Sequence, residues 1–138
     1  MSGADGREQI SNALPVNAAE TLNRKQVQVL YEIREYVALP GRLPTIIELF
    51  NELTIPLFAK HGMELVNIGR TWIGEDSLNE LVYTMRFADL TELENKWAQF
   101  LQDPEWVSGF TKREAEGPLY QSIRRKLLDA GPFTATVE

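Results

Sequence analysis

The apolar residues of this chain change period along its length, and the order of those changes constrains the fold more than any single motif. Over Val27 to Val37 they alternate, with Val27, Val29, Tyr31 and Ile33 on one face and Gln28, Glu32 and Arg34 on the other; a period of two in β-branched and aromatic residues predicts a strand with one wetter side. Pro40-Gly41 then supplies a turn. From Pro44 the spacing becomes three and four, through Ile46, Ile47, Phe50, Leu53, Leu57 and Phe58 as far as His61, which is the apolar face of a helix. Pro56 lies inside this helix. It removes one amide donor and crowds the carbonyl of Glu52, so a kink or short break is expected. Gly62 sits where a left-handed cap would close the helix.

Met63 to Trp72 and Asn79 to Phe87 read as two further strands, paired antiparallel across the polar loop Ile73 to Leu78. Asp89 and Glu92 have capping-box spacing, and Leu90, Leu93, Trp97, Phe100 and Leu101 form the stripe of a second helix. Asp103-Pro104-Glu105-Trp106 starts a short extra turn or helix, and Gln121 to Leu128 offers the last strand before Gly131-Pro132-Phe133. The order is βαββαβ. It predicts an α+β fold of ferredoxin-like plan, with a four-stranded antiparallel sheet.

With 138 residues, 43% of them hydrophobic, the chain can bury one core. It has no cysteine, which excludes disulfides, thiolate nucleophiles and Cys-based zinc sites and fits a reducing compartment. Twenty acidic against 14 basic residues give a net charge of −6, which repels phosphate backbones; the one basic cluster, Arg124-Arg125-Lys126, is short. Nucleic acid is not an expected partner. No apolar run approaches a membrane span, and residues 1–26 lack the apolar core of a signal peptide and are too acidic for a mitochondrial presequence. The expectation is a cytoplasmic protein without a membrane partner, with a flexible tail over residues 1–26 and one domain over 27–138. The alternative for the tail is that Ala13 to Leu22 packs as a short arm on a partner subunit.

Several segments carry a resemblance. They are Leu30 to Tyr36 with Pro40-Gly41, Ile55 to Gly62, Asn79 to Val82, Arg86 to Asp89, Asp103 to Trp106, and Leu127-Leu128 with Pro132-Phe133. In this order, over about Val29 to Phe133, the chain resembles the NIPSNAP family of the dimeric α+β barrel superfamily. The resemblance implies a domain that pairs sheet to sheet as a homodimer. It also implies kinship with antibiotic-biosynthesis monooxygenases, polyketide cyclases, lactone isomerases and haem-degrading enzymes. For Glu32, Arg34 and Arg86 it implies a mainly structural use inside the barrel. Tyr83 stands where the family often has histidine, and Glu35 where it often has a small polar residue, departures that suggest specialisation.

The residues themselves exclude a Gly-rich phosphate loop, a Gly-x-Ser-x-Gly elbow and an EF-hand. The single histidine, His61, is read first as a helix-end cap, with a haem-ligand or general-base role as the minority alternative. Trp97 and Trp106 are read as core and lid packing. A regular hairpin sets Ile68 opposite Tyr83, Arg70 opposite Leu81 and Trp72 opposite Asn79. If Tyr31, Ile33 and Glu35 share that face, an apolar helix-facing layer holds one carboxylate, one guanidinium and two phenols. The other outcome is that Glu35 and Arg70 reach water at strand ends. The expected function is cofactor-independent proton transfer on a small apolar or aromatic substrate: isomerisation, cyclisation or a lyase step, with no metal. Glu35 would be the base, Tyr83 and Tyr31 would polarise a carbonyl oxygen, and Arg70 would hold an enolate or carboxylate; Trp72, Met85, Phe50 and His61 would bind the substrate. The rivals are a cofactor-free monooxygenase and a non-catalytic dimeric ligand-binding or scaffold protein.

Overall fold

In a computed structural model, which describes residues 29–129 and 131–133, the strand alternation and the helical stripes fold in the expected order. The elements are β1 (Leu30–Ala38), α1 (Leu43–Leu49), a π-helical turn (Phe50–Thr54), α2 (Ile55–Lys60), β2 (Glu64–Arg70), β3 (Glu80–Phe87), α3 (Leu90–Gln102), α4 (Pro104–Arg113) and β4 (Tyr120–Asp129). All pairings are antiparallel, in the order β2-β3-β1-β4. This is the ferredoxin-like α+β plan. The tail assigned to residues 1–26 lies outside the described residues.

The expected irregularity at Pro56 is a π turn. Pro56 has no N–H for the Glu52 carbonyl, and its ring would strike that carbonyl in a straight helix; the widened turn just before it carries the chain past the conflict, with the Ile55 amide bonded to the Phe50 carbonyl. Phe50 and Leu53 are buried there, and Gly109 of α4 comes so close to Leu53 that a side chain at that position would collide with it. Gly62 takes the left-handed conformation, φ +67, and Lys96 Nζ donates to the carbonyls of His61 and Gly62 at 3.0 and 3.1 Å. The capping box at Asp89 forms as its spacing predicts, Glu92 N donating to Asp89 Oδ1 at 2.8 Å.

One expectation about the sheet is corrected. β1 pairs with β3 so that Arg34 faces Tyr83, Tyr36 faces Leu81 and Glu32 faces Met85. The even-numbered residues of β1 therefore share the helix-facing side with Leu81, Tyr83, Met85 and Phe87, whereas Tyr31, Ile33 and Glu35 share the opposite face with Arg86, Thr84 and Val82. No hairpin joins β1 to β3, so turn geometry does not set this register. Burial does: Tyr36 and Ala38 are the β1 residues that join the core of Leu43, Ile46, Leu49, Phe50, Phe58 and Tyr83. The β2–β3 hairpin does pair Ile68 with Tyr83 and Arg70 with Leu81, but a bulge between Leu65 and Asn67 brings Leu65 rather than Val66 onto the core side.

Candidate functional site

Three consecutive helix-facing positions of β1 are polar, and each is satisfied differently. Glu32 is fully buried, and its carboxylate accepts from three donors: Trp97 Nε1 at 2.7 Å, Arg34 Nη1 at 3.1 Å and Arg125 Nε at 2.6 Å. A buried carboxylate is tolerated only when paired and hydrogen-bonded in this way. Arg34 also donates from Nε to the Tyr36 hydroxyl at 3.0 Å, and its guanidinium lies 4.6 Å from the Trp97 ring centre. Tyr36 Oη in turn lies 2.8 Å from Tyr83 Oη. The result is one connected network: Trp97 and Arg125 to Glu32, Glu32 to Arg34, and Arg34 through Tyr36 to Tyr83.

Burial works against the charge on Arg34, and Tyr36, Tyr83 and Glu32 outweigh it, so the guanidinium is held above its ordinary range. Burial, reinforced by the neighbouring Tyr36 phenol, pushes the Tyr83 hydroxyl well above its ordinary value against the pull of Arg34. Tyr83 therefore keeps its hydroxyl proton throughout the neutral range. The network opens to solvent on the β4 side. There the register places Ile123 beside Tyr36, Arg125 beside Arg34 and Leu127 beside Glu32, and none of the three is covered, the side chain of Arg125 being 46% exposed. Ile123, Arg125 and Leu127 thus make an open face along β4, and Arg34 and Trp97 meet it at Glu32.

The family model described as NIPSNAP matches residues 31–135. The chain belongs to the NIPSNAP family. Among solved structures, a NIPSNAP family protein with unknown function from Agrobacterium tumefaciens str. C58 is 26% identical, with a TM-score of 0.64 over 75% of this chain and 88% of that one. An uncharacterized NIPSNAP-like domain protein from Burkholderia xenovorans shares 24% identity and a TM-score of 0.64, over 74% of this chain and 84% of that one. A second A. tumefaciens NIPSNAP family protein is 20% identical with the same TM-score of 0.64, over 73% and 84% of the two chains. No match was found among curated proteins.

The pocket expected in this NIPSNAP chain around Glu35, Tyr31, Tyr83 and Arg70 is not assembled. Glu35 lies on the far face of the sheet, ion-paired with Arg124 at 2.9 Å, beside a depression of about 450 Å³ over Ile33, Arg124, Arg125 and Lys126. Tyr31 is on the same far face and hydrogen-bonded with Arg86. Arg70 is exposed at the end of β2, in a separate depression with Asn67, Ile68, Gly69, Thr71 and Val82. Trp72 lies beyond the strand and is 70% exposed. Tyr83, Met85 and Phe50 do share the helix-facing side, but as packed core, Phe50 lying 5.4 Å from Tyr83 between ring centres.

His61 stands at the C-terminal cap of α2, but its imidazole does not serve the last carbonyls as expected: its Nε2 bonds Asp103 Oδ2 at 2.8 Å, where Lys60 Nζ also donates at 2.8 Å. Asp103 meanwhile caps α4 through Glu105 N. Trp106 packs against Phe100 and Phe110 as a lid residue should, whereas Trp97 does more than fill space. Sequence reasoning left out Glu32, Arg34, Tyr36, Trp97 and Arg125 as site residues. Two signals pointed to them: an indole N–H in a core needs an acceptor, and the middle member of Arg124-Arg125-Lys126 must point away from its neighbours. Among the described residues, no group of three His, Cys, Asp or Glu side chains is arranged to hold a metal, and no helix is long and apolar enough to cross a membrane.

Proposed function

We propose that this NIPSNAP protein is a homodimeric, cofactor-independent enzyme that binds a small carbonyl compound over the open face of β4 and moves a proton on it. The observation supporting this is the Glu32–Arg34–Tyr36–Tyr83 network, which places a carboxylate and a guanidinium next to one another beside the uncovered Ile123 and Leu127. Arg34, whose side chain reaches solvent, takes the charge that develops on the carbonyl oxygen, and the buried Tyr36–Tyr83 pair holds Arg34 in place. Glu32 takes the proton from the adjacent carbon and returns it elsewhere, the balance of an isomerisation or cyclisation. A carboxylate has about four acceptor positions, and three donors hold this one. Arg125, the most exposed of those donors, keeps its Nε on Glu32 and meets the substrate with its terminal nitrogens, and the fourth acceptor position is left for the substrate's proton.

The dimer follows from the other face of the sheet. Helices cover one side only; Ile33, Val82 and Leu128 remain partly or largely exposed on the other, and a second sheet is the cover such a layer needs. Sedimentation should give a dimer, and a concentration-independent monomer would remove this part of the reading. For the chemistry, aromatic polyketides and unsaturated lactones are screened by thermal shift, and turnover is measured on any that bind. Glu32→Gln should cost on the order of a hundredfold to ten-thousandfold in kcat while the shifted melting point with ligand persists. Full activity in that variant overturns the enzyme reading. What then stands is a ligand-binding protein, a second reading favoured by the complete burial of Tyr83.

A further inference from the structure

We infer that the open face of β4 selects small apolar or aromatic monocarboxylates, with Arg125 and Arg34 holding the carboxylate between Ile123 and Leu127. The inference rests on that face being the ligand site proposed above. Its basis is a charge count with geometry attached. Two guanidiniums stand on directly paired positions of adjacent strands, Arg34 and Arg125, and both are bonded to the single carboxylate of Glu32. Two positive charges against one leave a surplus of one. That surplus is presented outward, because Glu32 is fully buried while Arg34 and Arg125 reach solvent to 20% and 46%.

Donors remain for a ligand. Arg34 uses Nε on Tyr36 and Nη1 on Glu32, leaving Nη2; Arg125 uses only Nε, leaving both terminal nitrogens. A carboxylate is the anion whose two oxygens match such a planar fork. The flanks are apolar, since Ile123 and Leu127 lie two residues to either side of Arg125 on the same face and are both exposed. The neighbouring cations do not contribute, because alternation turns Arg124 and Lys126 to the far side of the sheet, where they line a depression that Arg125 only borders. On a chain of net charge −6, this is a local basic point and not a basic surface. A doubly charged ligand would exceed the surplus, and a neutral one would leave it unanswered.

The test uses benzoate and its neutral isostere benzamide, each titrated into the millimolar range against the full chain. The reporter is the indole N–H signal of Trp97, which touches Glu32 and is assigned by its loss in Trp97→Phe. Benzoate should bind at least tenfold more tightly than benzamide. Arg125→Gln should abolish that preference, Arg125→Lys should keep part of it, and Lys126→Gln should leave it intact. Equal binding of the two probes overturns the selectivity while leaving the β4 face as a ligand site. Failure of both probes to move the Trp97 signal overturns the site itself. If Lys126→Gln weakens benzoate as much as Arg125→Gln does, the preference is one of general surface charge and the inference fails.

Discussion

The two faces of β1 carry nearly the same chemistry and use it in opposite ways. On the helix-facing side, Glu32 is closed off from water and held by three donors; on the far side, Glu35 is partly exposed and meets a single well-placed partner, Arg124, whose own side chain is 64% exposed. The first carboxylate has no solvent to fall back on. Each donor removed from it leaves an uncompensated charge in a medium that screens poorly, whereas in the single protomer the second exchanges its partner for water at small cost. The difference shows that environment, more than residue type, decides which carboxylate of a strand is consequential.

The largest expected effect is therefore at Glu32. Glu32→Ala should destabilise by about 3–5 kcal/mol, because Arg34, Arg125 and the Trp97 N–H lose their common acceptor; urea unfolding measures it, and a loss within experimental error would erase the contrast between the faces. Asp103 comes next. Lys60 and His61, with the Glu105 amide, hold its carboxyl well below the usual carboxylate range. Because the unfolded chain binds the proton more readily, the stabilisation is fully present above the ordinary carboxylate pKa of about 3.9 and is lost as pH falls below it. Asp103→Asn should flatten the acid side of the stability curve, and an unchanged pH profile would refute this.

Tyr83→Phe should be milder, about 0.5–1.5 kcal/mol, since Tyr36 keeps its bond from Arg34 and the ring stays in the core. The smallest effect is expected at the far face. Glu35→Gln should cost about 0.2–1 kcal/mol and should shrink further in high salt. If it matches Glu32→Ala, the two faces are alike after all.

Most of the fold was legible in the sequence because its elements are set by local periods and caps. The change of period after Pro40-Gly41, the glycine at 62 and the capping box at Asp89 each act over a few residues, and each formed where it was read. The candidate site was less legible because it depends on a register. β1 has apolar residues on both faces, with Tyr31 and Ile33 on one and Leu30, Tyr36 and Ala38 on the other, so its own alternation does not say which face meets the helices. One step of parity moved Glu35 away from Tyr83 and brought Arg34 beside it. The bulge at Val66 shifted the hairpin side in the same unannounced way. Arg125 was hidden for another reason: its role comes from pairing with a strand about ninety residues distant, which no local pattern encodes.

The π turn at Phe50–Thr54 has a bearing on how chains of this plan can vary in length. In an α-helix each residue advances the face by about 100°. Straightening that turn into an α-helix at the same length would rotate everything after it by that angle relative to α1. Leu57 and Phe58 would swing off the core, and His61 would leave Asp103. The hairpin loop between β2 and β3, which carries the exposed Trp72 and Ile73, has no such phase to keep. Gaps and insertions among related sequences should therefore gather in that loop, whereas in the helical arm a residue more or less must be matched by the gain or loss of a π turn if the two aromatic-rich layers are to stay in step.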